Sequence, residues 1–134
     1  MPRQPQPGRQ HRSVTLSDDN WEPGELIAEA MGTTRSQLVE ALWAYFMRRP
    51  GAELPERPPQ ELIDRADAAW EERKARIRAR ALTLPCPSCK VESGPCLAGK
   101  AKRPTNTMIH RPRLIKAGAE IAEEERAAET DSDA

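Results

Sequence analysis

Every cysteine of the chain lies in one short stretch, Cys86-Pro-Ser-Cys89-Lys-Val-Glu-Ser-Gly-Pro-Cys96, and one of the two histidines, His110, follows after a basic loop. Three thiols and one imidazole are a full ligand set for Zn²⁺, which accepts a tetrahedron of soft sulfur and borderline nitrogen. A Cys-x-x-Cys pair supplies two corners from one tight turn. Pro87 stiffens that turn, and Gly94-Pro95 sets a second turn just before Cys96. With all four corners filled by protein, no position stays open for water, so the expected role is one structural zinc per chain. His110 is the corner for which Asp or Glu stays open as a substitute.

Two other uses of these cysteines fit less well. A disulfide framework wants an even number, and the chain has three. A thioredoxin-like redox pair at Cys86 and Cys89 wants a strand before it and a helix after it. Here a basic helix precedes the pair and a Gly-Pro turn follows.

The elements that must hold this stretch come from a small chain. It has 134 residues, 37% hydrophobic and 31% charged, with 13 prolines and a single Phe and Tyr. Such a composition does not support one large core, and a metal site with oligomerisation is the usual remedy. No apolar run approaches a membrane span, and the N-terminus has no apolar h-region, so a cytoplasmic protein with no membrane partner is expected. No nucleophile–base pair, paired carboxylates or glycine-rich phosphate loop appears. Neither enzyme activity nor a small-molecule substrate is therefore expected.

Net charge is zero, but the charges are segregated. Residues 1–16 carry Arg3, Arg9 and Arg12 and no acid. A basic run covers Arg73, Lys74, Arg76, Arg78 and Arg80. The stretch 97–116 carries Lys100, Lys102, Arg103, Arg111, Arg113 and Lys116 and no acid, whereas the chain beyond Glu120 is strongly acidic. Segregation of this kind points to a polyanion-facing surface and a repelling tail.

In order along the chain, residues 1–10 are a Pro- and Gln-rich arm expected to be disordered. Residues 11–17 alternate, with Val14 and Leu16 on one side and His11, Ser13 and Thr15 on the other, which predicts a short half-buried strand. Ser17 and Asp18-Asp19-Asn20 offer caps for a first helix through Trp21, Leu26, Ile27, Ala30 and Met31, ended by Gly32. Thr34 caps a second helix whose apolar positions, Leu38, Ala41, Leu42 and Tyr45 beside Val39, Trp43, Phe46 and Met47, are too wide for a small monomer to bury. That predicts a homodimer. Arg48-Arg49-Pro50-Gly51 stops it, residues 50–59 are a proline-stiffened linker, and residues 60–83 form a long Ala-, Arg- and Glu-rich helix. The second half of this helix is open to two uses, packing or tracking phosphates. Residues 84–128 hold the cysteine module and a C-terminal helix from about Arg111, and residues 129–134 are a disordered tail. The fold class is mainly α with a short β-strand.

One strand followed by two helices, over residues 11–49, resembles the ribbon-helix-helix family of the Arc and MetJ type. The matching landmarks are Ser13-Val14-Thr15-Leu16, Ser17-Asp18-Asp19, Gly32, Thr33-Thr34-Arg35-Ser36 and Leu38-x-x-Ala41-Leu42. Arg12 and Gly24 depart from the pattern. The resemblance implies a homodimer whose paired strands enter the DNA major groove, with His11, Ser13 and Thr15 facing the bases. It also implies a phosphate clamp at the start of the second helix, from Thr34, Arg35 and Ser36.

The cysteine stretch resembles a zinc-finger domain found in many actinobacterial and actinophage proteins. The shared pattern is Cys86-Pro87-Ser88-Cys89, Gly94-Pro95-Cys96, Gly99 and His110-x-x-Arg113, covering roughly residues 84–125. Lys90 departs from it, where such knuckles often carry Gly. The resemblance implies a Cys₃His zinc site and nucleic-acid binding. Lys100, Lys102, Arg103, Arg111 and Arg113 are then expected to contact phosphates, giving affinity without sequence choice. The expected protein is a dimeric, zinc-containing, nucleoid-associated DNA-binding regulator. The rival is a protein-interaction adaptor with the same zinc module. An RNA-binding knuckle is disfavoured because the loop has no aromatics on which bases could stack.

Overall fold

The structure is a computed structural model, and it describes residues 13–133. It is mainly helical: α1 (Asp18–Ala30), α2 (Arg35–Phe46), α3 (Gln60–Thr83) and α4 (Arg111–Ser132). The chain divides into two compact units, residues 1–67 and 68–134.

In the first unit the expected strand does not form. Residues 13–17 are irregular, and the only β-bridge among the described residues lies elsewhere, between Ala98 and Arg103. A strand exists only by pairing, and residues 13–17 pair with no other described backbone. Val14 and Leu16 stay 66% and 44% exposed, so the inward half of the alternation is not buried either. His11 lies outside the described residues.

The two helices follow their local signals closely. Ser17 is the N-cap of α1, with the carbonyl but not the side chain engaged. Pro23 is tolerated inside α1 and is buried. The helix ends in a Schellman motif: Gly32 N–H donates to Glu29 O at 3.0 Å and Thr33 N–H to Ala28 O at 2.9 Å. Gly32 sits at φ +71°, which a residue without a Cβ adopts freely. A capping box opens α2, in which Thr34 Oγ1 accepts from Gln37 N–H while Gln37 Oε1 accepts from Thr34 N–H. The same Schellman closure ends α2, but the left-handed position is Arg48, at φ +52°. No residue of α2 is buried, and Leu42, Trp43, Tyr45, Phe46 and Met47 are all exposed.

Gly24 and Arg35 explain each other. The Arg35 stem passes over Gly24, its guanidinium lies 4.2 Å from the centre of the Trp21 ring, and its Nη1 donates to Trp21 O at 3.0 Å. Nη2 meets Glu25 at 3.1 Å. These contacts tie the start of α2 to α1.

The second unit is built on the later half of α3 and on α4. Ion pairs and contacts run in opposite order along the two helices: Arg73 and Arg76 with Glu125, Ile77 beside Gly118, and Arg80 with Glu120 and Glu124. The helices are therefore antiparallel. The buried set is small, with Ala81, the three cysteines, Ala117, Ile121 and Arg113. Alanine and cysteine dominate where larger domains carry Leu and Phe, as the composition implied. α4 runs to Ser132 with Asp133 as its C-cap, so residues 129–133, expected as a disordered tail, are ordered and mostly helical. The basic run on α3 is not a free phosphate track either. Three of its arginines pair with α4 carboxylates, whose acid-rich sequence by itself suggests only repulsion.

Candidate metal centre

The module between α3 and α4 is built almost entirely from turns. Leu84-Pro85 leaves α3, and Cys86 N–H donates to Val91 O at 2.9 Å while Lys90 N–H returns to Cys86 O at 3.0 Å. This closed loop holds Cys86 and Cys89 side by side. Lys90 sits at φ +64° inside it, in the left-handed region, at the position where the resembling knuckles often carry Gly. Gly94 N–H reaches Leu82 O at 2.8 Å, and Cys96 N–H reaches Met108 O at 2.7 Å. A two-sided bond pair between Ala98 and Arg103 (2.8 and 3.0 Å) then closes a small hairpin whose tip is Gly99-Lys100-Ala101-Lys102. Thr105 Oγ1 donates to Cys96 O and fastens the return limb. Finally His110 serves as the N-cap residue of α4, followed by Pro112 in the first turn, where a missing N–H costs nothing.

These turns bring the four expected ligands together. One ligand atom from each of Cys86, Cys89, Cys96 and His110 lies within 4.8 Å of every other. Cys86 Sγ and His110 Nδ1 are 3.4 Å apart. A tetrahedral ion with bonds near 2.3 Å to sulfur and 2.0 Å to nitrogen sets such an edge at about 3.5 Å. The cysteines are 1%, 7% and 0% exposed, with Val91 and Leu97 packed against them. The donor set, its compactness and its burial fit a bound metal ion, and no carboxylate is needed to complete it. Among the described residues, His110 rather than Asp or Glu takes the fourth place.

The electrostatics prepare the sulfurs unequally. Burial raises the Cys86 thiol, but the Cys89 and Ser88 amides and the neighbouring Cys89 and Cys96 side chains outweigh it and bring Cys86 down to about 7. Cys89 also ends below the ordinary thiol value, burial being overcome by the Leu97 and Val91 amides and by His110. Burial wins at Cys96 and holds it up, although the His110 amide (3.3 Å from the sulfur) and Arg113 pull the other way. A thiol lowered by aimed amides is readily converted to the thiolate that a metal requires.

Arg113 is not a phosphate contact. Its residue is 0% exposed, and its guanidinium points inward. Nε donates to Leu84 O at 2.7 Å, Nη1 to Gly94 O at 2.6 Å, and Nη2 to Leu82 O at 3.2 Å, with Nη1 also 3.4 Å from Cys96 Sγ. One side chain thus ties the end of α3, the Gly-Pro turn and the start of α4. The His-x-x-Arg spacing marks Arg113 in the sequence, but its charge alone assigns it to the surface. A helix start packed against carbonyls of a knuckle is not visible in a local charge pattern.

The other candidates are placed as follows. Lys100, Lys102, Arg103 and Arg111 are exposed, Lys102 at φ +50° on the hairpin tip. Ser13, Thr15, Thr34 and Ser36 are exposed as well. Arg35 is committed to Trp21 and Glu25, which removes its side chain from the expected clamp. Arg78, not singled out individually by the sequence, donates to Thr107 O at 3.2 Å and so braces the basic loop from α3. No helix among the described residues is long and apolar enough to cross a membrane. No family model, no curated protein and no solved structure matches the chain.

Proposed function

We propose that the protein is a dimeric DNA-binding regulator whose second unit is folded around a structural zinc ion. The observation that carries this reading is the joining of a buried Cys₃His cluster to an exposed, acid-free basic surface. From Ser93 to Ala119 the sequence has no Asp or Glu, and Lys100, Lys102, Arg103 and Arg111 stand out from it into solvent. Zinc suits three thiolates and an imidazole in a closed tetrahedron, and it supplies the folding energy that alanines and cysteines alone do not. The cations then serve as phosphate contacts.

The first unit supports dimerisation. A helix with no buried residue and four exposed large apolar side chains, with exposed Met47 at its C-cap and exposed Val14 and Leu16 ahead of α1, has the surface of half a core. In the ribbon-helix-helix reading a second copy covers α2, and residues 13–17 of the two chains pair as an antiparallel ribbon. His11, Ser13 and Thr15 then face bases. The clamp is then reduced to the Arg35 and Ser36 amides with the Thr34 and Ser36 hydroxyls, since the capping box engages the Thr34 and Gln37 amides and the first intrahelical bond is Leu38 N–H to Thr34 O.

Exposed Trp43 stacked on Phe46, with centroids 5.4 Å apart, would equally suit another protein, and this is what favours an adaptor as the second reading. Fluorescence anisotropy with duplex DNA at rising salt separates the two. DNA binding that weakens steeply and log-linearly with salt, with a shallower slope for Lys102→Ala/Arg103→Ala, supports the regulator. A zinc-loaded dimer that binds no DNA at any salt leaves the adaptor.

A further inference from the structure

We infer that Arg113 is the charge partner of the metal centre, its buried guanidinium neutralising the single excess negative charge of a divalent ion held by three thiolates and one imidazole. The inference rests on the metal reading proposed above and adds a requirement on the ion and on the site. An arginine does not shed its proton in a protein, so this side chain brings a full positive charge inside. It is 0% exposed, and no carboxylate pairs with it among the described residues. Three backbone carbonyls solvate it, but carbonyls are dipoles and carry no net charge to balance it. The nearest group able to hold a negative charge is Cys96 Sγ, 3.4 Å from Nη1.

With all three cysteines as thiolates, the charge count closes only with a divalent ion. Three thiolates contribute three negative charges, the imidazole none and the ion two positive ones, leaving one negative charge in a buried site. The guanidinium cancels it. A monovalent ion leaves the pair of groups with a net negative charge, and a trivalent ion leaves it positive. With no ion and neutral thiols, the guanidinium is a buried cation alone. Against an ion of another charge on the same three thiolates, or an empty site with neutral thiols, Arg113 therefore favours the divalent state through electrostatics, in addition to joining α3, the knuckle and α4.

The experiment titrates the full-length chain with Co²⁺, whose visible bands report a tetrahedral sulfur–nitrogen site, and reads Zn²⁺ affinity by chelator competition. Arg113→Gln and Arg113→Lys both lose most of the carbonyl bonds, but only Lys keeps the charge. Arg113→Gln is expected to weaken metal binding by about 10- to 100-fold, the usual cost of removing a group that supports metal ligands, and Arg113→Lys by clearly less. Cys89→His makes the centre neutral, and in that background Arg113→Gln is expected to cost no more than about threefold. Equal losses for Gln and Lys, or equal losses with and without the Cys89→His substitution, overturn the inference and leave Arg113 a purely structural anchor. A variant that gives no Co²⁺ bands counts as a loss of binding in the same comparison. A wild-type chain without tetrahedral Co²⁺ bands overturns the metal reading itself, and this inference with it.

Discussion

The imidazole Nδ1 of His110 lies 3.4 Å from the sulfur of Cys86, across a loop of turns that contains no strand or helix. His110 is also the N-cap residue of α4. The fourth candidate ligand and the helix start are thus one residue, and anything that loosens His110 loosens the helix entry. His110→Ala is expected to lower Zn²⁺ affinity by at least about tenfold and to fray the first turn of α4. Chelator competition and amide exchange at Arg113 and Leu114 measure the two effects. Undiminished binding of one zinc by that variant rules out His110 as a ligand.

Metal removal should act on one unit. The buried set around the cysteines is too small to hold the turns of residues 84–110 without an ion. Chelation is expected to expose the amides of Cys86, Lys90 and Cys96 to exchange while α1 and α2 keep their protection. Loss of protection spread evenly over both units would contradict this.

The α3–α4 ion pairs set a pH dependence. Arg80 hydrogen-bonds Glu124 and holds its carboxyl below the usual range, and Arg73 does the same to Glu125. A carboxyl lowered by folding contributes stability above its unfolded value, about 4.3 for Glu, and loses it as pH falls through the lowered one. The helix pair is expected to weaken below about pH 4 and to be insensitive to pH between about 5 and 8 on account of these groups. Arg80→Met should flatten that acid limb in thermal melts followed by circular dichroism. The pairs are solvent-exposed, so added salt should weaken the same contribution.

Two backbone positions are open to improvement. Gly118 lies inside α4, and a Cβ there would sit 3.8 Å from Ile77 Cδ1, an ordinary contact. Gly118→Ala is expected to stabilise the unit by roughly 0.5–1 kcal/mol through helix propensity and the added contact. Arg48 occupies the left-handed C-terminal position of α2 at φ +52°. Arg48→Gly is expected to stabilise α2 by about 1 kcal/mol. Denaturant midpoints measure both, and a destabilised Gly118→Ala would mean that α3 and α4 pack more tightly there than the 3.8 Å spacing implies.

The exposed face of α2 makes the dimer testable without DNA. Trp43→Glu or Phe46→Glu places a charge in the middle of the surface assigned to a second copy. Sedimentation should show the mass fall from two chains to one while zinc content stays the same. A wild-type monomer at micromolar concentration would remove the dimer from the proposal.

Some features were readable in the sequence because the physics that sets them is local. Thr34 ahead of the second helix and Gly32 after the first each act within a few residues, and each sits where the residue types suggested. The cluster of Cys86, Cys89, Cys96 and His110 was readable for another reason: thiols are scarce in this chain, and scarcity singles them out. What stayed hidden depends on groups far apart. Arg73, Arg76 and Arg80 gain their partners from about 40 to 50 residues away. Arg113 turns inward because three carbonyls, from the end of α3, the exit after it and the Gly-Pro turn, converge on it. Arg35 leaves its expected place because Gly24, a departure from the expected pattern, makes room for it beside Trp21. The strand expected over residues 11–17 is a different case: residues 13–17 are irregular, and a strand forms only where a second backbone pairs with it.

If the second unit meets a polyanion, as proposed, the arginine–glutamate contacts along α3 and α4 also decide which way it faces. By cancelling charge along the helix pair, they leave uncompensated positive potential concentrated around the hairpin tip and the start of α4. Field lines from a polyanion would then apply a torque to the approaching unit, turning that end forward before contact. Much of the rotational search that limits productive encounters would be over on arrival.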